Sequence, residues 1–261
     1  MARANQILKS KTYSFTILLE RRLRHISSLG YLCLLLVSMS AVTYSYCKDE
    51  SSWQEYRSPT TSSLHSVFMV NSNDGWAVGD NGTIIHWDGL YWSIVDVPSV
   101  ANVNLASVFI VDANDGWIVG EYGTILHWDG VSWKAVSSPL GISPQVGLNS
   151  VFMVNSNGGW AVGWEKTSSP FETKTKGVIL RWDGASWSKV TLLTTDNLER
   201  FNSVFMVNSN NGWAVGYGSD SCIVHWDGKS WRRVSGYRYE TLFSVFMVGA
   251  NDASLAPTMK T

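Results

Sequence analysis

Leu105-Ala-Ser-Val-Phe-Ile-Val, followed by Gly116-Trp-Ile-Val-Gly120, Gly123-Thr-Ile-Leu-His-Trp-Asp-Gly130 and Trp133, is the stretch that decides the architecture. Ser107 to Val111 is a nearly continuous β-branched and aromatic run, suited to a strand buried on both faces. Trp117-Ile-Val is a second short strand, and Thr124-Ile-Leu-His-Trp128 a third. The links between them are Asn, Asp and Gly, which accept positive φ and therefore turn the chain. Asp129-Gly130 reads as a two-residue hairpin leading into a fourth strand at Trp133.

The same plan recurs along the chain. Leu64 to Val70, Gly75 to Gly79, Gly82 to Gly89 and Trp92 repeat it upstream. Downstream it returns from Leu148 to Trp187 and from Phe201 to Trp231, and a fifth copy begins at Leu242. The shared serines Ser66, Ser107, Ser150, Ser203 and Ser244 set intervals of 41, 43, 53 and 41 residues. A period of about 40–50 residues with several short strands per unit indicates the blades of a β-propeller. One blade is a small twisted sheet that cannot cover both of its faces, so the blades must stack on one another. The fold class is therefore all-β: a β-propeller of four-stranded antiparallel blades, four complete and one partial.

The units run near 64–104, 105–147, 148–200 and 201–241, with a partial unit at 242–261. Residues 52–58 resemble the fourth strand that begins at Ser132, so the partial blade is expected to draw on both ends of the chain. Asn251-Asp-Ala-Ser-Leu does not continue as Gly-Trp-Ala-Val, so that blade is expected to lack its second and third strands, as in a truncated or frameshifted propeller. Exposed strand edges of this kind invite further pairing.

Ahead of the repeats, residues 1–28 carry Arg3, Lys9, Lys11, Arg21, Arg22 and Arg24, and Leu29 to Val42 is largely apolar. Basic, then apolar, then small residues is the plan of a secretory signal, with an uncleaved membrane anchor as the second reading. The apolar run is expected to be helical. Residues 1–47 are thus a signal or anchor, and 48–261 the repeat domain, placed outside the cytoplasm as a secreted or anchored protein. Cys47 and Cys222 stand outside the apolar run, enough for one disulfide and too few for a disulfide framework. The net charge of −1 gives no basic face for nucleic acid.

The recurring Asp/Asn-Gly-Trp-Ala-Val-Gly, Gly-Thr-Ile-Leu-His and Asp-Gly-x-x-Trp resemble the repeats of photosystem II stability/assembly factor-like propellers. They are also similar to the bacterial neuraminidase, or Asp-box, repeat, in a shortened form such as Asp129-Gly-Val-Ser-Trp133. The resemblance covers about residues 53–248 and implies a propeller that serves as a binding scaffold.

Most repeated residues read as architecture: Trp76, Trp87 and Asp88; Trp117, Trp128 and Asp129; Trp160, Trp182 and Asp183; Trp213, Trp226 and Asp227. His86, His127 and His225 occupy one column, with Arg181 in the other blade. Equivalent columns of separate blades point to separate places around a ring, and a metal needs its ligands to converge. The sialidase reading implied by Asp-box repeats needs an arginine cluster and a Tyr–Glu pair. Arg57, Arg181, Arg200, Arg232, Arg233 and Arg238 fall in no matching motif. No local catalytic motif or cofactor-binding loop is present. The expectation is a non-catalytic protein without cofactor or metal that binds a protein partner. A glycan stacked on the fourteen tryptophans is the second choice, and a sialidase-like hydrolase the third.

Function is sought where the repeats differ, because loops on a rigid scaffold carry binding residues. The long third interval holds an insertion with aromatic anchors and charge. Trp164, Glu165, Lys166, Phe171, Lys174 and Lys176 are the candidate contact residues, expected on a loop.

Overall fold

Ser72-Asn73 and Asp88-Gly89-Leu90-Tyr91 are the turns that fold the first repeat into a meander, and a computed structural model of the chain shows the plan recurring. The chain divides into Met1–Glu55 and Tyr56–Thr261. The structure describes residues 56–168, 173–192, 198–218, 222–234, 241–249 and 252–257. The apolar N-terminal run, Cys47, residues 52–55 and Phe171 lie outside the described residues.

Blade 1 consists of β1 (Leu64–Asn71), β2 (Asp74–Gly79), β3 (Ile84–Trp87) and β4 (Trp92–Ile94). Blade 2 consists of β5 (Leu105–Asp112), β6 (Asp115–Gly120), β7 (Ile125–Trp128) and β8 (Trp133–Ala135). Blade 3 consists of β9 (Val146–Asn155), β10 (Gly158–Ser168), β11 (Thr173–Trp182) and β12 (Trp187–Lys189). Blade 4 consists of β13 (Leu198–Asn208), β14 (Asn211–Gly218), β15 (Cys222–Trp226) and β16 (Trp231–Arg233). Each is an antiparallel sheet with its strands in chain order, and β17 (Leu242–Gly249) with β18 (Asp252–Pro257) makes a two-stranded partial blade. No helix among the described residues is long and apolar enough to cross a membrane.

The two-residue hairpin lies between the first and second strands, not at Asp-Gly. Asn71 pairs with Asp74 and Asp112 with Asp115, whereas Trp87 pairs with Trp92 across four residues. The reason is the Asp side chain. Asp88 Oδ1 accepts the backbone N–H groups of Leu90 and Tyr91, both at 2.8 Å, which widens the turn, and Gly89 takes the positive φ of 94° that follows. The partial blade also differs from expectation, because it has a second strand. Gly249 pairs with Asp252 and Val245 with Leu255, the register of the whole blades. A tight turn and backbone pairing set that register, and they do not need the Gly-Trp motif.

The core lies between blades. Val108, Ile110, Ile118 and Leu126 of blade 2 are buried against Trp76, Val78 and Ile84 of blade 1. The equivalent layer recurs between blades 2 and 3 and between blades 3 and 4. Indoles occupy the outer part of each layer. Trp117 lies 4.7 Å from Trp182 and 5.3 Å edge-on from Trp187, and Trp160 repeats this with Trp226 and Trp231. Such offset and edge-on pairs add about 0.5–1.5 kcal/mol each beyond area burial.

The turn carboxylates make stability depend on acid. Asp183 and Asp227 accept the same pairs of backbone N–H groups as Asp88, and these bonds hold all three carboxyls below their ordinary value of 3.8. Asp129 is lowered first by its bond to Lys134, then by the N–H groups of Ser132 and Val131. Groups depressed in the folded state stabilise it at pH above their unfolded values, and that contribution is lost as the pH falls through the folded ones. The melting temperature is therefore expected to hold between neutrality and about pH 5, then to drop steeply below about pH 4. Thermal melts followed by circular dichroism at each pH check this, and a flat profile down to pH 2 would contradict it.

Candidate functional site

The repeated columns are occupied by architecture. His86 Nε2 bonds Asp74 at 2.9 Å and His127 bonds Asp115 at 2.9 Å, while His225 bonds the amide oxygen of Asn211 at 2.8 Å. Each imidazole stacks on the second-strand Trp of its own blade, at 4.2–4.4 Å. The fourth member of the column, Arg181, instead lies over Trp160 and Trp226 at 5.6 and 5.9 Å. Because an amide serves as well as a carboxylate here, the pair is a strut between strands and not a proton relay. Among the described residues, no three His, Cys, Asp or Glu side chains group as a metal site. Of the described arginines, Arg181 lies on indoles in β11, Arg200 at the start of β13, and Arg232 and Arg233 on β16, where Arg232 meets Asp227 at 3.1 Å. Trp87, Trp128, Trp182 and Trp226 each donate Nε1–H to a backbone oxygen of the first turn of their blade, at 2.9–3.0 Å. None of the described tryptophans stands among the exposed large apolar residues, so few indoles are open for stacking.

Among the described residues the meander grows most at the insertion of blade 3, with a shorter extension in blade 4. The insertion is not a loop. β10 and β11 run on past the length of the other blades, with Glu165 opposite Lys176, Lys166 opposite Thr175 and Thr167 opposite Lys174. The opposite charges of Glu165 and Lys176 and the β-branched Thr167 and Thr175 favour continued pairing, which the turn-like composition of the segment concealed. β9 supports the base of this arm. Lys166 donates its backbone N–H to the Gln145 carbonyl at 2.7 Å, and Trp164 pairs with Gly147.

Gly147 is required there for space. A Cβ at Gly147 would lie 2.8 Å from Trp164 Nε1, so any other residue would push the indole away. Trp164 is thereby held half-buried between two cations, with Lys166 Nζ 5.5 Å from its ring centre and Arg200 Cζ 5.9 Å. Cations over an indole face are attracted by its quadrupole. Arg200 comes from the start of β13, where its guanidinium donates to Asn149 Oδ1 at 3.0 Å. Burial pushes the Arg200 guanidinium below its ordinary value and Glu121 acts in the opposite sense. Glu165 is neutralised by Lys189, whose Nζ lies 2.6 and 2.7 Å from its carboxylate oxygens. Lys166, Lys174 and Lys176 are exposed, and the register puts Lys174 and Lys176 on the face of the arm opposite Trp164.

The structure thus brings Trp164, Glu165, Lys166, Lys174 and Lys176 onto one arm and leaves Phe171 outside the described residues. It adds Arg200, Asn149 and Gly147, which the sequence reading had not singled out for this site. A signal for them exists in the repeat. The column that holds Arg200 carries Ser63, Asn104, Gly147 and Thr241 in the other units, so it is one of the few columns that never repeats.

Four stacked antiparallel blades and a partial fifth define a β-propeller, and the arm of blade 3 carries an indole and several cations. Among solved structures, the chain is similar to one described as YCF48 bound to D1 peptide, at 20% identity and a TM-score of 0.56. That match covers 80% of this chain and 65% of that one. It is also similar to YCF48 from Cyanidioschyzon merolae, at 19% identity and a TM-score of 0.51, over 76% of this chain and 64% of that one. The likeness is one of fold, in keeping with the photosystem II assembly factor-like propeller that the repeats resemble. The chain spans a little under two thirds of the length of these structures. No protein-family model and no curated protein matches it.

Proposed function

We propose that this protein is a non-catalytic propeller scaffold that binds a protein partner through the arm of blade 3, on the outer side of a membrane. The arm carries the reading: Trp164 has Lys166 and Arg200 within cation–π reach of its ring, and the other face of the same arm carries the exposed Lys174 and Lys176. A preorganised indole with surrounding cations is the composition of an interface centre, where Trp and Arg are enriched. The partner surface it suits is acidic or ends in a carboxylate. The fold supports the reading by analogy, since one similar propeller is described with a bound peptide. The N-terminal run, read as a signal or anchor, is the support for the location.

The test is co-purification of the tagged full chain from membranes of its source, with partners identified by mass spectrometry. Trp164→Ala is expected to weaken capture of the main partner about tenfold or more, as for an interface hot spot, while the melting temperature stays within a few degrees. Reversal of the three charges in Lys166→Glu, Lys174→Glu, Lys176→Glu is expected to abolish capture at low salt. Undiminished capture by both variants would remove the arm from the function.

A further inference from the structure

The junction between blades 3 and 4 already holds a guanidinium. Arg181 lies opposite Trp160 in the register of β10 and β11. Its Cζ is 5.6 Å from the Trp160 ring centre and 5.9 Å from that of Trp226 on the following blade. The two indoles are 4.7 Å apart and tilted by 57°, and their negative faces attract the cation. Beneath it Trp226 is 5% exposed.

The same indole pair recurs between blades 1 and 2, where Trp76 and Trp128 are 4.8 Å apart and tilted by 54°. His86 takes the place of Arg181, opposite Trp76. Its shorter side chain stacks on Trp76 at 4.2 Å and ends on Asp74. Trp128 is left partly exposed. A cleft of about 610 Å³ opens beside it, lined by Trp128, Trp133 and Val95 together with Asp74, Asp96 and Asp112.

Those three carboxylates are a departure from the repeat. The equivalent positions are Asp115, Ser137 and Asn155 between blades 2 and 3, and Gly158, Thr191 and Asn208 where Arg181 sits. The architecture does not call for the charge. Asp112 Oδ1 accepts the Asn114 N–H, but the amide oxygens of Asn155 and Asn208 do the same for Asn157 and Asn210. Asp74 holds His86, but Asn211 holds His225 equally well. Asp96 is exposed. Among the described residues no three such side chains group as a metal site, so the carboxylates suit an extended organic cation and not an ion.

We infer that the cleft between blades 1 and 2 binds an arginine side chain of a peptide segment, its guanidinium resting on Trp128 as Arg181 rests on Trp226. A planar guanidinium both stacks on an indole and donates N–H groups in pairs to carboxylates, which an ammonium does not. The cleft has room for residues on either side of the arginine. Free arginine would bring its own carboxylate into an acidic site. The cleft shares no residue with the arm of blade 3, so it stands or falls separately from the arm.

The test is saturation-transfer NMR on the full chain in mild detergent, with the peptide acetyl-Gly-Arg-Gly-amide as probe. Transfer is expected to be strongest at the arginine methylenes, and to vanish when citrulline, which has the same shape without the charge, replaces arginine. Asp96→Ser with Asp112→Asn gives the cleft the residues of the next junction, and is expected to weaken binding about tenfold, as for the loss of charge-assisted hydrogen bonds. His86→Arg places the protein's own guanidinium over the indoles, as Arg181 is placed, and is expected to abolish binding. Both variants copy residues that other blades already carry, and an unchanged melting temperature shows that they fold. No transfer to the arginine peptide, equal transfer to the citrulline peptide, or binding that neither variant weakens would overturn the inference. Tighter binding of free L-arginine than of the peptide would overturn it in favour of a small-molecule site.

Discussion

Trp117→Ala is expected to destabilise the propeller by about 3–5 kcal/mol, the cost of emptying a large aromatic site in a core that cannot collapse around it. Trp117 is 1% exposed and touches both indoles of the next blade as well as His127 on its own. The substitution therefore removes the outer part of the layer between blades 2 and 3. At about 2–4 °C per kcal/mol for a domain of this size, the melting temperature should fall by about 10 °C or more. Trp213 is the internal control. It occupies the same column in blade 4, is only half-buried, and faces the partial blade. Trp213→Ala is expected to cost less than half as much. Urea titration followed by circular dichroism measures both, and a Trp117→Ala loss under about 1 kcal/mol would show that the indole stack does not hold the blades.

Gly216→Ala is the second large effect, and its cause is the backbone. A Cβ at Gly216 would lie 1.9 Å from the carbonyl oxygen of Arg200. The glycines Gly79, Gly120 and Gly163 meet the equivalent carbonyls at 1.9–2.4 Å. Neither strand can yield without breaking pairing between β13 and β14, so the expected loss is about 4 kcal/mol, at the upper end for one substitution. Arg200 lies at that point and Tyr217 beside it, so partner capture should fail together with stability. Gly158→Ala is the matched control, because the nearest atom to its added Cβ is Asn155 Oδ1 at 3.7 Å. That variant should stay within about 0.5 kcal/mol of the parent. Comparable melts for the two variants would show that the close approach at Gly216 relaxes freely.

Much of the fold was legible because its determinants are local. Ser-Val-Phe-Met-Val, Gly-Trp-Ala-Val-Gly and Asp-Gly-x-x-Trp each fix a strand or a turn within a few residues, and four repetitions exclude coincidence. Two local readings of the repeat differed from the structure, one of a turn and one of a strand. The Asp88 carboxylate widens its hairpin by accepting two N–H groups, a side-chain effect that the dipeptide Asp-Gly does not reveal. β18 forms without the second-strand motif, because pairing with β17 needs only backbone groups in register. The candidate site was legible in part. The insertion drew attention to Trp164 and the lysines, but its extension as paired strands depends on a supporting strand, β9, and on Gln145 just before it, whose carbonyl takes the Lys166 N–H.

The sequence by itself determined the blade, its number of copies and the segment where one copy departs from the others. Each of these follows from periodicity and turn chemistry, which act over a few residues. Only the tertiary structure decided which surfaces meet. Ser66 and Val108 are 42 positions apart, and Asn149 and Arg200 are 51 apart. Contacts at such separations are set by how one twisted sheet stacks on the next, so no local pattern encodes them. The same stacking places Arg200 over Trp164.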